Sequence, residues 1–553
     1  MASKDCAIFF NENAFSLDTE QLMGRNSAGA SFLEGYFSYG TPSKFWVYGR
    51  TKSEAQMFAN IAKNVAGIFD INYIAHNNFA ALEQPGNIFF PGPDLNRFAW
   101  QRHLVADTSW SLCGITHTTS SAKVMDLIGD YCVAPLRKWD ALICTSEAVR
   151  TNVEFILESK KQYLRMQFGD LIFEHPKLPV IPLGVNSSDF EFTQSERFHA
   201  RKKMNISAET IVILYVGRLS FHAKANPLPM YAAIEQAASL SPTKKIKLIE
   251  CGWYSNKGQE NSFAEAADMT LKTVTRSFLD GRDQGKLRLA WQSADIFCSF
   301  SDNTQETFGI SPVEAMASGL PVVVTDWNGY KESVRDEIDG FRISTFMPGP
   351  GFGIDLANSY AIEEDNYDHH IGKSSAFVAI DFAQAVQRFK SLIDSKNLRR
   401  KLGNSGKKRV KEKFDWRIII PQYEKLWFEL SNERNNYQGA ISETRRWPER
   451  PDPFSSFQHY PSRLFNLEDK FSLVDKNIDV SIINFQRIRS LKMFNYLAEV
   501  LPKDEELIIL LTLINEKQAP IDEIVNKFDK ARQAIIFRSI AWLLKVNIVR
   551  ISR

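Results

Sequence analysis

The sequence predicts an α/β protein in which parallel sheets are covered by helices. The chain has 553 residues, which is too long for one hydrophobic core and suggests roughly three to four domains. In its first part, short apolar runs alternate with helical patterns, which is typical of parallel strands connected by helices. The runs are 7–10, 45–48, 71–74, 87–90, 112–116 and 141–145.

A second alternation of strands and helices begins at residue 210. The apolar run 210–216 predicts a buried strand, and further strands are predicted at 246–250, 295–300 and 321–324. A polar, helical stretch separates the two alternations. We therefore predict a first Rossmann-like lobe over 1–190, a linker over 191–208 and a second Rossmann-like lobe over 209–413.

Charge and cysteine content narrow the class of protein. The net charge of +2 gives no reason to expect nucleic acid or an anionic membrane as a partner. The six cysteines form no C-x-x-C pair, which favours buried thiols in a reducing compartment. No stretch is long and apolar enough to span a membrane, and no signal peptide pattern opens the chain. These features predict a cytoplasmic protein without a transmembrane segment, and peripheral membrane contact is left open.

The most informative stretch of the chain is residues 302–324. Its second half predicts a loop, a two-turn helix and a buried strand. Ser311 suits the N-cap, Pro312 the first helical position, Glu314 the capping-box position and Gly319 the end of the helix. On this spacing alone, Glu314 is either a helix cap or a functional carboxylate.

In the same stretch, Glu306 and Glu314 bracket the loop and the start of the helix. The amides of Phe308, Gly309 and Ile310 lead into the helix N-terminus, which attracts anions. The whole string resembles the donor-site motif of retaining family-4 glycosyltransferases of the GT-B fold. That resemblance implies that Glu306 lies against the transferred sugar, that Glu314 holds the ribose of the nucleotide, and that the three amides meet the sugar and the diphosphate.

Two cations follow the first strand of the second lobe. Arg218 stands at the carboxyl end of the strand, and Lys224 comes six residues later. Such residues on a loop are ordinarily solvated, but two cations facing an anion-binding helix N-terminus would hold a diphosphate well. The resemblance implies that they neutralise the leaving nucleotide. The Lys-Gly pair usual in the family is replaced here by Lys224 and Ala225.

Three further candidates lie in the first lobe. His117 follows the strand 112–116 at its carboxyl end, where open α/β sheets bind ligands; from position alone it is either structural or a ligand contact. Gly24 and Gly29 lie in a predicted loop that runs into a helix over 23–33. The resemblance implies that His117 touches the donor sugar and that the two glycines belong to a loop closing over the donor phosphates and the acceptor.

A long connection over 347–375 interrupts the second lobe. It is rich in Pro and Gly and then acidic, and long loops in compact lobes are often functional. Its second half contains Asp365, Asp368, His369 and His370. These side chains could bind a metal, but they have no recognised ligand spacing, and we assign no metal ligand in the chain.

The resemblance covers about residues 1–430 and ends with a helix over 414–433 that crosses back to the first lobe. A Pro- and Arg-rich linker is predicted over 434–462, followed by a mainly helical module over 463–553. Three amphipathic helices and a short strand in this module are compatible with a winged-helix-like arrangement. Its modest basic excess favours a protein partner or self-association over nucleic acid.

The sequence thus predicts a GT-B, hexosyltransferase-like glycosyltransferase. Its co-substrate would be a nucleotide-diphosphate-sugar, and its acceptor a glycan, a lipid-linked molecule or a small molecule. The resemblance implies transfer with retention of configuration, with Glu306 and His117 as catalytic residues. Because the second lobe offers cations and amides for the diphosphate and no Asp-x-Asp at a strand end that would hold Mg²⁺ or Mn²⁺, we predict that no metal or other cofactor is needed. The alternative is a non-catalytic GT-B scaffold whose C-terminal module binds a protein partner.

Overall fold

The computed structural model describes residues 3–15, 24–439, 446–517 and 519–552. Its contacts divide the chain into two compact units, Met1–Trp447 and Pro448–Arg553. The first unit contains two six-stranded parallel sheets, and each sheet lies between two apolar clusters formed with its helices. The second unit is mainly helical. These features confirm the predicted fold class of two Rossmann-like lobes with a mainly α C-terminal extension.

The first lobe has the strand order β3-β2-β1-β4-β5-β6. All five strand pairs are parallel, so the carboxyl ends of the six strands meet at one edge, where open α/β sheets bind ligands. The strands are β1 (Ala7–Phe9), β2 (Phe45–Gly49), β3 (Ile71–Ala75), β4 (Asn87–Phe89), β5 (Ser111–Ile115) and β6 (Ala141–Ile143).

Helices connect these strands and cover both faces of the sheet. They are α1 (Glu12–Phe15), α2 (Gly24–Tyr39), α3 (Lys52–Ala66), α4 (Asn96–His103), α5 (Ala122–Gly129) and α6 (Glu147–Phe168). Local sequence fixes several of their ends. For example, Thr51 and Glu54 form a capping box at the start of α3, and Gly67 ends this helix in the left-handed conformation.

The second lobe repeats this topology with the order β12-β11-β10-β7-β8-β9. Alternate residues of its central strand face opposite apolar clusters: Ile211 and Ile213 one cluster, Val212 and Leu214 the other. This explains the continuous apolar run in the sequence. The strands of this sheet are β7 (Thr210–Val216), β8 (Lys245–Gly252), β9 (Thr275–Asp280), β10 (Ile296–Ser299), β11 (Val322–Thr325) and β12 (Gly340–Ile343). A separate antiparallel pair is formed by β13 (Thr345–Phe346) and β14 (Ala379–Ile380).

The helices of the second lobe include two that lie within the long connection. They are α7 (Gln194–Lys203), α8 (Pro227–Ser239), α9 (Lys257–Thr270), α10 (Gln284–Ser293), α11 (Ile310–Ala317), α12 (Tyr330–Ser333), α13 (Ile354–Ala361), α14 (Tyr367–Ser375), α15 (Phe382–Asp394) and α16 (Lys396–Lys413). The connection predicted over 347–375 is therefore a helical hairpin of α13 and α14, which we call the insertion hairpin.

Helix α17 (Trp416–Asn435) returns the chain to the first lobe. Val185 and the start of α17 exchange backbone hydrogen bonds, with Val185 N donating to Phe414 O (2.8 Å) and Trp416 N donating to Val185 O (3.2 Å). Side chains of α17, including Tyr423 and Trp427, join an apolar cluster of the first lobe. The two lobes are thus connected twice, by the linker and by this helix.

The C-terminal unit has its own apolar core, which includes Phe485, Leu510 and Ile540. Its elements are α18 (Pro453–Ser456), β15 (Phe471–Leu473), α19 (Ile478–Arg489), α20 (Asp504–Lys517), α21 (Ile521–Val525), α22 (Gln533–Lys545) and β16 (Val549–Ile551). The two strands pair in antiparallel register. Within the described residues, no helix of either unit has the length and apolar character needed to cross a bilayer.

The last residues of the first unit pack on its first lobe. Tyr437 lies 4.7 Å from Trp139 between ring centroids, and Trp447 stacks on Trp100 at 6.2 Å. Aromatic pairs of this kind stabilise by about 0.5–1.5 kcal/mol each beyond their buried area. The contacts that hold the first unit together therefore extend past α17.

We predict that the first unit folds without the C-terminal unit if it is cut after Trp447. Truncation there should leave the melting temperature of the first unit unchanged, since the packing described above is kept. Truncation after Asn435 should lower it by a few degrees, because both aromatic pairs are lost. Differential scanning calorimetry of the two truncated chains and the full chain measures this. Insoluble protein from the cut after Trp447 would contradict the prediction.

Candidate active site

The loop between β10 and α11 carries the motif with the two glutamates. The structure begins α11 at Ile310 with Gly309 as its N-cap, and no side chain caps this end. The predicted capping by Ser311 and Glu314 is therefore wrong. Gly309 has a φ of +80°, and a Cβ there would lie 1.8 Å from the ring of Tyr330, so only glycine fits this turn.

Glu306 lies in this loop and forms an ion pair with Lys224, which lies in the loop after β7. The side chain of Glu306 is only 9% exposed and that of Lys224 is 23% exposed. Burial alone would raise the pKa of Glu306, but Lys224 and the backbone N–H groups of Thr307 and Phe308 outweigh burial and hold this pKa below its usual value. Glu306 is therefore a carboxylate at neutral pH.

The loop that follows β7 carries both predicted cations and is fixed to the glutamate loop. Asn303 donates from Nδ2 to the carbonyl of His222 (2.6 Å), and Gln305 donates from Nε2 to the carbonyl of Ala223 (3.3 Å). Arg218 donates from its guanidinium to the same Ala223 carbonyl (3.2 Å). The two loops therefore bring Arg218 and Lys224 beside the glutamate motif.

A third loop, residues 326–329, holds the glutamate loop in place through side-chain hydrogen bonds to its backbone carbonyl groups. Asn328 donates from Nδ2 to the carbonyl of Glu306 (2.6 Å), and Trp327 donates from Nε1 to the carbonyl of Asn303 (3.0 Å). A Cβ on Gly329 would lie 2.5 Å from the α-carbon of Phe308. Asn328 is thus a positioning residue for Glu306. The sequence indicated no partner for Asn328.

Glu314 lies in α11, one turn beyond its first residues. It is partly buried, and loss of solvation raises its pKa to about 7. Glu306 and Glu314 therefore have different charge behaviour within one motif, since Glu306 stays ionised while Glu314 titrates near neutral pH.

His117 lies just beyond the carboxyl end of β5 and is partly exposed. Its Nε2 is 3.1 Å from the carbonyl oxygen of Pro91. A carbonyl oxygen can only accept, so Nε2 carries a proton and donates in this contact.

Contacts across the cleft bring the two lobes together beside Glu306. At the end of β6, Thr145 donates from Oγ1 to the carbonyl of Thr307 (3.4 Å), and Ser146 donates from Oγ to Oδ1 of Asn328 (3.2 Å). The strand β6 is the neighbour of β5, which carries His117. The carboxyl ends of β5 and β6 therefore face the glutamate loop. No sequence signal singled out Thr145 or Ser146.

The insertion hairpin contacts the first lobe next to His117. The hydroxyl of Tyr367 lies 3.2 Å from Thr118 Oγ1 and 3.1 Å from Ser120 Oγ, and Tyr360 accepts from the backbone N–H of Ala122 (2.7 Å). Three of the four ionisable residues in the second half of this hairpin have partners outside the group, and His369 Nδ1 lies 4.0 Å from Asp365. Asp365 pairs with Lys373, Asp368 lies 3.8 Å from His222, and the ring of His370 stacks on Tyr360.

The two glycines of the first lobe differ from their prediction. Residues 24–33 are helical throughout and belong to α2, so Gly29 does not lie in a loop. A Cβ on Gly29 would lie 2.3 Å from the carbonyl oxygen of Ala14, which means that Gly29 allows α1 and α2 to pack closely. Gly24 is the first residue of α2, and the predicted loop residue Met23 lies outside the described residues. The donor role implied for Gly24 stays a prediction.

Comparison with known proteins gives a family match over part of the chain. The family described as glycosyl transferases group 1 matches residues 196–346, a range that contains Arg218, Lys224, Glu306 and Glu314. The chain is 23% identical over 222 residues to the lipopolysaccharide 1,2-N-acetylglucosaminetransferase of Salmonella typhimurium. The aligned region covers 39% of this chain and 58% of that protein.

Two further similarities are also to glycosyltransferases. An uncharacterized glycosyltransferase of Methanocaldococcus jannaschii is 28% identical over 189 residues, or 33% of this chain and 46% of that protein. The chain thus spans about half the length of the curated relatives it matches. Among solved structures, a glycosyltransferase from Rickettsia africae superimposes with a TM-score of 0.49 and 14% identity, covering 77% of this chain and 98% of that one.

Proposed function

We propose that this chain is a glycosyltransferase that moves a sugar from a nucleotide-diphosphate-sugar to an acceptor. The observation that carries the proposal is the grouping of Lys224, Glu306, Arg218 and the N-terminal end of α11 at one side of the cleft, opposite His117. Cations and helix amides suit the diphosphate of such a donor, and a buried, ionised carboxylate suits the positive charge that develops on the sugar.

Departure of the nucleotide is the step that the second lobe favours. As the bond from the sugar to the diphosphate breaks, negative charge grows on the leaving phosphate oxygens. Arg218 and Lys224 can neutralise this charge, and the backbone amides of Phe308, Gly309 and Ile310 add the field of a helix N-terminus. We propose that these groups replace a divalent metal and that no other cofactor takes part.

The sugar would lie between Glu306 and His117. Glu306 stabilises positive charge on the ring because its pairing with Lys224 keeps it ionised, and His117 lies at the carboxyl end of β5, where open α/β sheets bind ligands. We propose transfer with retention, in which the acceptor attacks from the face that the nucleotide leaves and the leaving phosphate takes the acceptor proton. A hexosyl group as cargo and the family-4 assignment are part of the same proposal.

The C-terminal unit is not needed for this chemistry, and we propose that it makes protein contacts or mediates self-association. It exposes several large apolar side chains in one stretch, among them Ile483, Met493 and Tyr496, which is a common feature of interaction surfaces. A non-catalytic scaffold would also use such a surface. It would have no need, however, of the ion pair of Lys224 and Glu306 in a cleft.

We expect Glu306→Gln to lower the turnover number on the order of a hundredfold or more, because an oriented charge is removed from the transition state. Melting temperature and affinity for nucleoside diphosphate should be kept, since the amide oxygen can still accept from Lys224. The assay is release of nucleoside diphosphate from UDP-, GDP- and ADP-sugars. The matched control is Glu412→Gln, an exposed glutamate paired with Lys408, which should have no effect. Normal turnover by Glu306→Gln would refute the catalytic role.

Glu314 should make nucleotide binding depend on pH. With its pKa near 7, the carboxylate form that accepts hydrogen bonds from ribose hydroxyls is scarce at about pH 6 and dominant at about pH 8. Affinity for nucleoside diphosphate should therefore rise by up to about tenfold over this range. Calorimetric titration at several pH values checks this.

The Glu314→Gln variant is the reference for this experiment, because it keeps every other titrating group, including the terminal phosphate of the ligand. Its affinity should be lower than that of the wild type at high pH and should lack the additional rise. Because Glu314 caps no helix, the melting temperature of the Glu314→Gln variant should not be lower than that of the wild type. Parallel pH profiles for the wild type and Glu314→Gln would show that Glu314 does not contact the nucleotide.

A further inference from the structure

A group of basic side chains lies at the carboxyl edge of the first-lobe sheet, away from the ion pair of Lys224 and Glu306. Arg50 follows β2, and His76 follows β3. Gly49 and Ala75 are paired in parallel register as the last residues of these strands. Arg50 and His76 therefore occupy adjacent positions where the two strands end.

Arg97, in the first turn of α4, brings a third basic side chain to the same edge. Its guanidinium carbon lies 4.6 Å from the centroid of the Phe98 ring. Phe98 stacks on Phe90 at 3.9 Å and lies 5.4 Å from Phe9, and these two residues are at the carboxyl ends of β4 and β1. The start of α4 is thus fixed over the edge at which Arg50 and His76 emerge.

The electrostatics of His76 agree with this placement. Burial lowers its pKa, and the positive charges of Arg50 and Arg97 lower it further, while Glu54 acts in the opposite direction with a smaller effect. The Nδ1 atom of His76 is 3.0 Å from the hydroxyl of Tyr48. His76 is therefore close enough to both arginines to be affected by their charges.

Within the described residues, no carboxylate forms an ion pair with any of these three side chains. The carboxylate of Glu54 instead accepts from the backbone N–H groups of Arg50 and Thr51 at the start of α3. The Nε atom of Arg97 is buried and has no hydrogen-bond partner. The guanidinium groups of Arg50 and Arg97 are two neighbouring positive charges without a counter-charge, which costs free energy, and an anionic ligand would remove that cost.

We propose that Arg50, His76 and Arg97 bind a phosphate group carried by the acceptor. This inference rests on the proposed function, because it assigns the first-lobe edge of the same cleft to the acceptor. Donors from three separate elements can surround a tetrahedral anion with several oxygens, and guanidinium groups bind two of these oxygens at once. The class of acceptor is therefore a phosphorylated molecule.

The sheet also sets a length for this acceptor. From His117 at the end of β5, the sequence of neighbouring strands is β4, β1 and β2, and neighbouring strands lie about 4.8 Å apart. Arg50 is thus roughly 14 Å from His117 along the edge, and Arg97 lies over the strands between them. The reacting hydroxyl and the phosphate of the acceptor should be separated by about one or two sugar rings.

The test is calorimetric titration of the full chain with glycerol 3-phosphate as a soluble phosphate probe and with glycerol as its neutral counterpart. The donor site is first filled with UDP, GDP or ADP, whichever binds, so that the probe does not bind there. The titration is repeated without nucleotide on the Arg218→Gln variant, whose donor site lacks one of its proposed phosphate-binding cations. A lipid source of the phosphate is probed by sedimentation with phosphatidylcholine vesicles that contain or lack phosphatidic acid. The variants are Arg97→Gln and, as a matched control on the same lobe, Arg165→Gln, an exposed arginine paired with Glu158.

We expect one phosphate probe to bind, its neutral counterpart not to bind, and Arg97→Gln to weaken phosphate binding at least about tenfold with an unchanged melting temperature and nucleotide affinity. Arg165→Gln should bind as the wild type does. Glycerol 3-phosphate binding indicates a soluble acceptor, and binding only to vesicles with phosphatidic acid indicates a lipid-linked one. Equal phosphate binding by the wild type and Arg97→Gln, or no binding of either probe, would overturn the inference. Failure of every nucleotide to bind would instead count against the proposed function, and the titration without nucleotide would still decide the acceptor site.

Discussion

The side chain of Trp416 is the contact on which the geometry of the cleft depends. It is 1% exposed and occupies a space that exists only because Gly35 and Gly184 lack side chains, since a Cβ on either would lie 2.5 Å from the indole. Its Nε1 donates to Ser31 Oγ (2.7 Å). Because the preceding helix belongs to the second lobe and the indole is buried in the first, this contact fixes the distance between the two carboxyl edges.

On the second-lobe side of that cleft, two carboxylates of one motif have opposite electrostatic environments. Lys224 and backbone amides keep Glu306 ionised, whereas no cation among the described residues offsets the loss of solvation at Glu314, and its pKa rises to about 7. Neighbouring groups whose pKa values are moved apart in this way commonly have separate roles in catalysis. A permanent charge suits the reacting sugar, and a titratable acceptor suits the hydroxyl groups of a ribose.

The sequence was sufficient for the parts of the fold that local patterns determine. The apolar runs predicted all six strands of the first sheet and four of the six strands of the second sheet, but not β9 and β12. The pattern failed where a long-range contact overrides a local signal. Ser311 has the right residue type for an N-cap, but the packing of Gly309 against Tyr330 starts the helix earlier. Likewise, Gly29 looked like part of a loop because its helical partner, α1, cannot be inferred from spacing.

In the candidate site, too, local patterns could be predicted from the sequence and long-range contacts could not. Glu306 could be named from its motif and Lys224 from its place after the first strand of the second lobe, but their ion pair could not, because they are 82 residues apart. Asn328, Thr145 and Tyr367 were missed as site residues for a related reason. Each acts through a hydrogen bond to a loop that is distant in the chain, and single polar residues on loops have no periodic pattern that would predict such a partner.

The central claim is that this cleft transfers sugar from a nucleotide-sugar by means of its own cations. The most direct measurement is the release of nucleoside diphosphate from UDP-, GDP- and ADP-sugars in excess chelator, by the wild type and by Lys224→Met. The account predicts release from at least one donor class, at a rate that the chelator does not change and that Lys224→Met strongly reduces. Release that stops in chelator and returns with Mg²⁺ or Mn²⁺, or equal rates for the wild type and Lys224→Met, would contradict it.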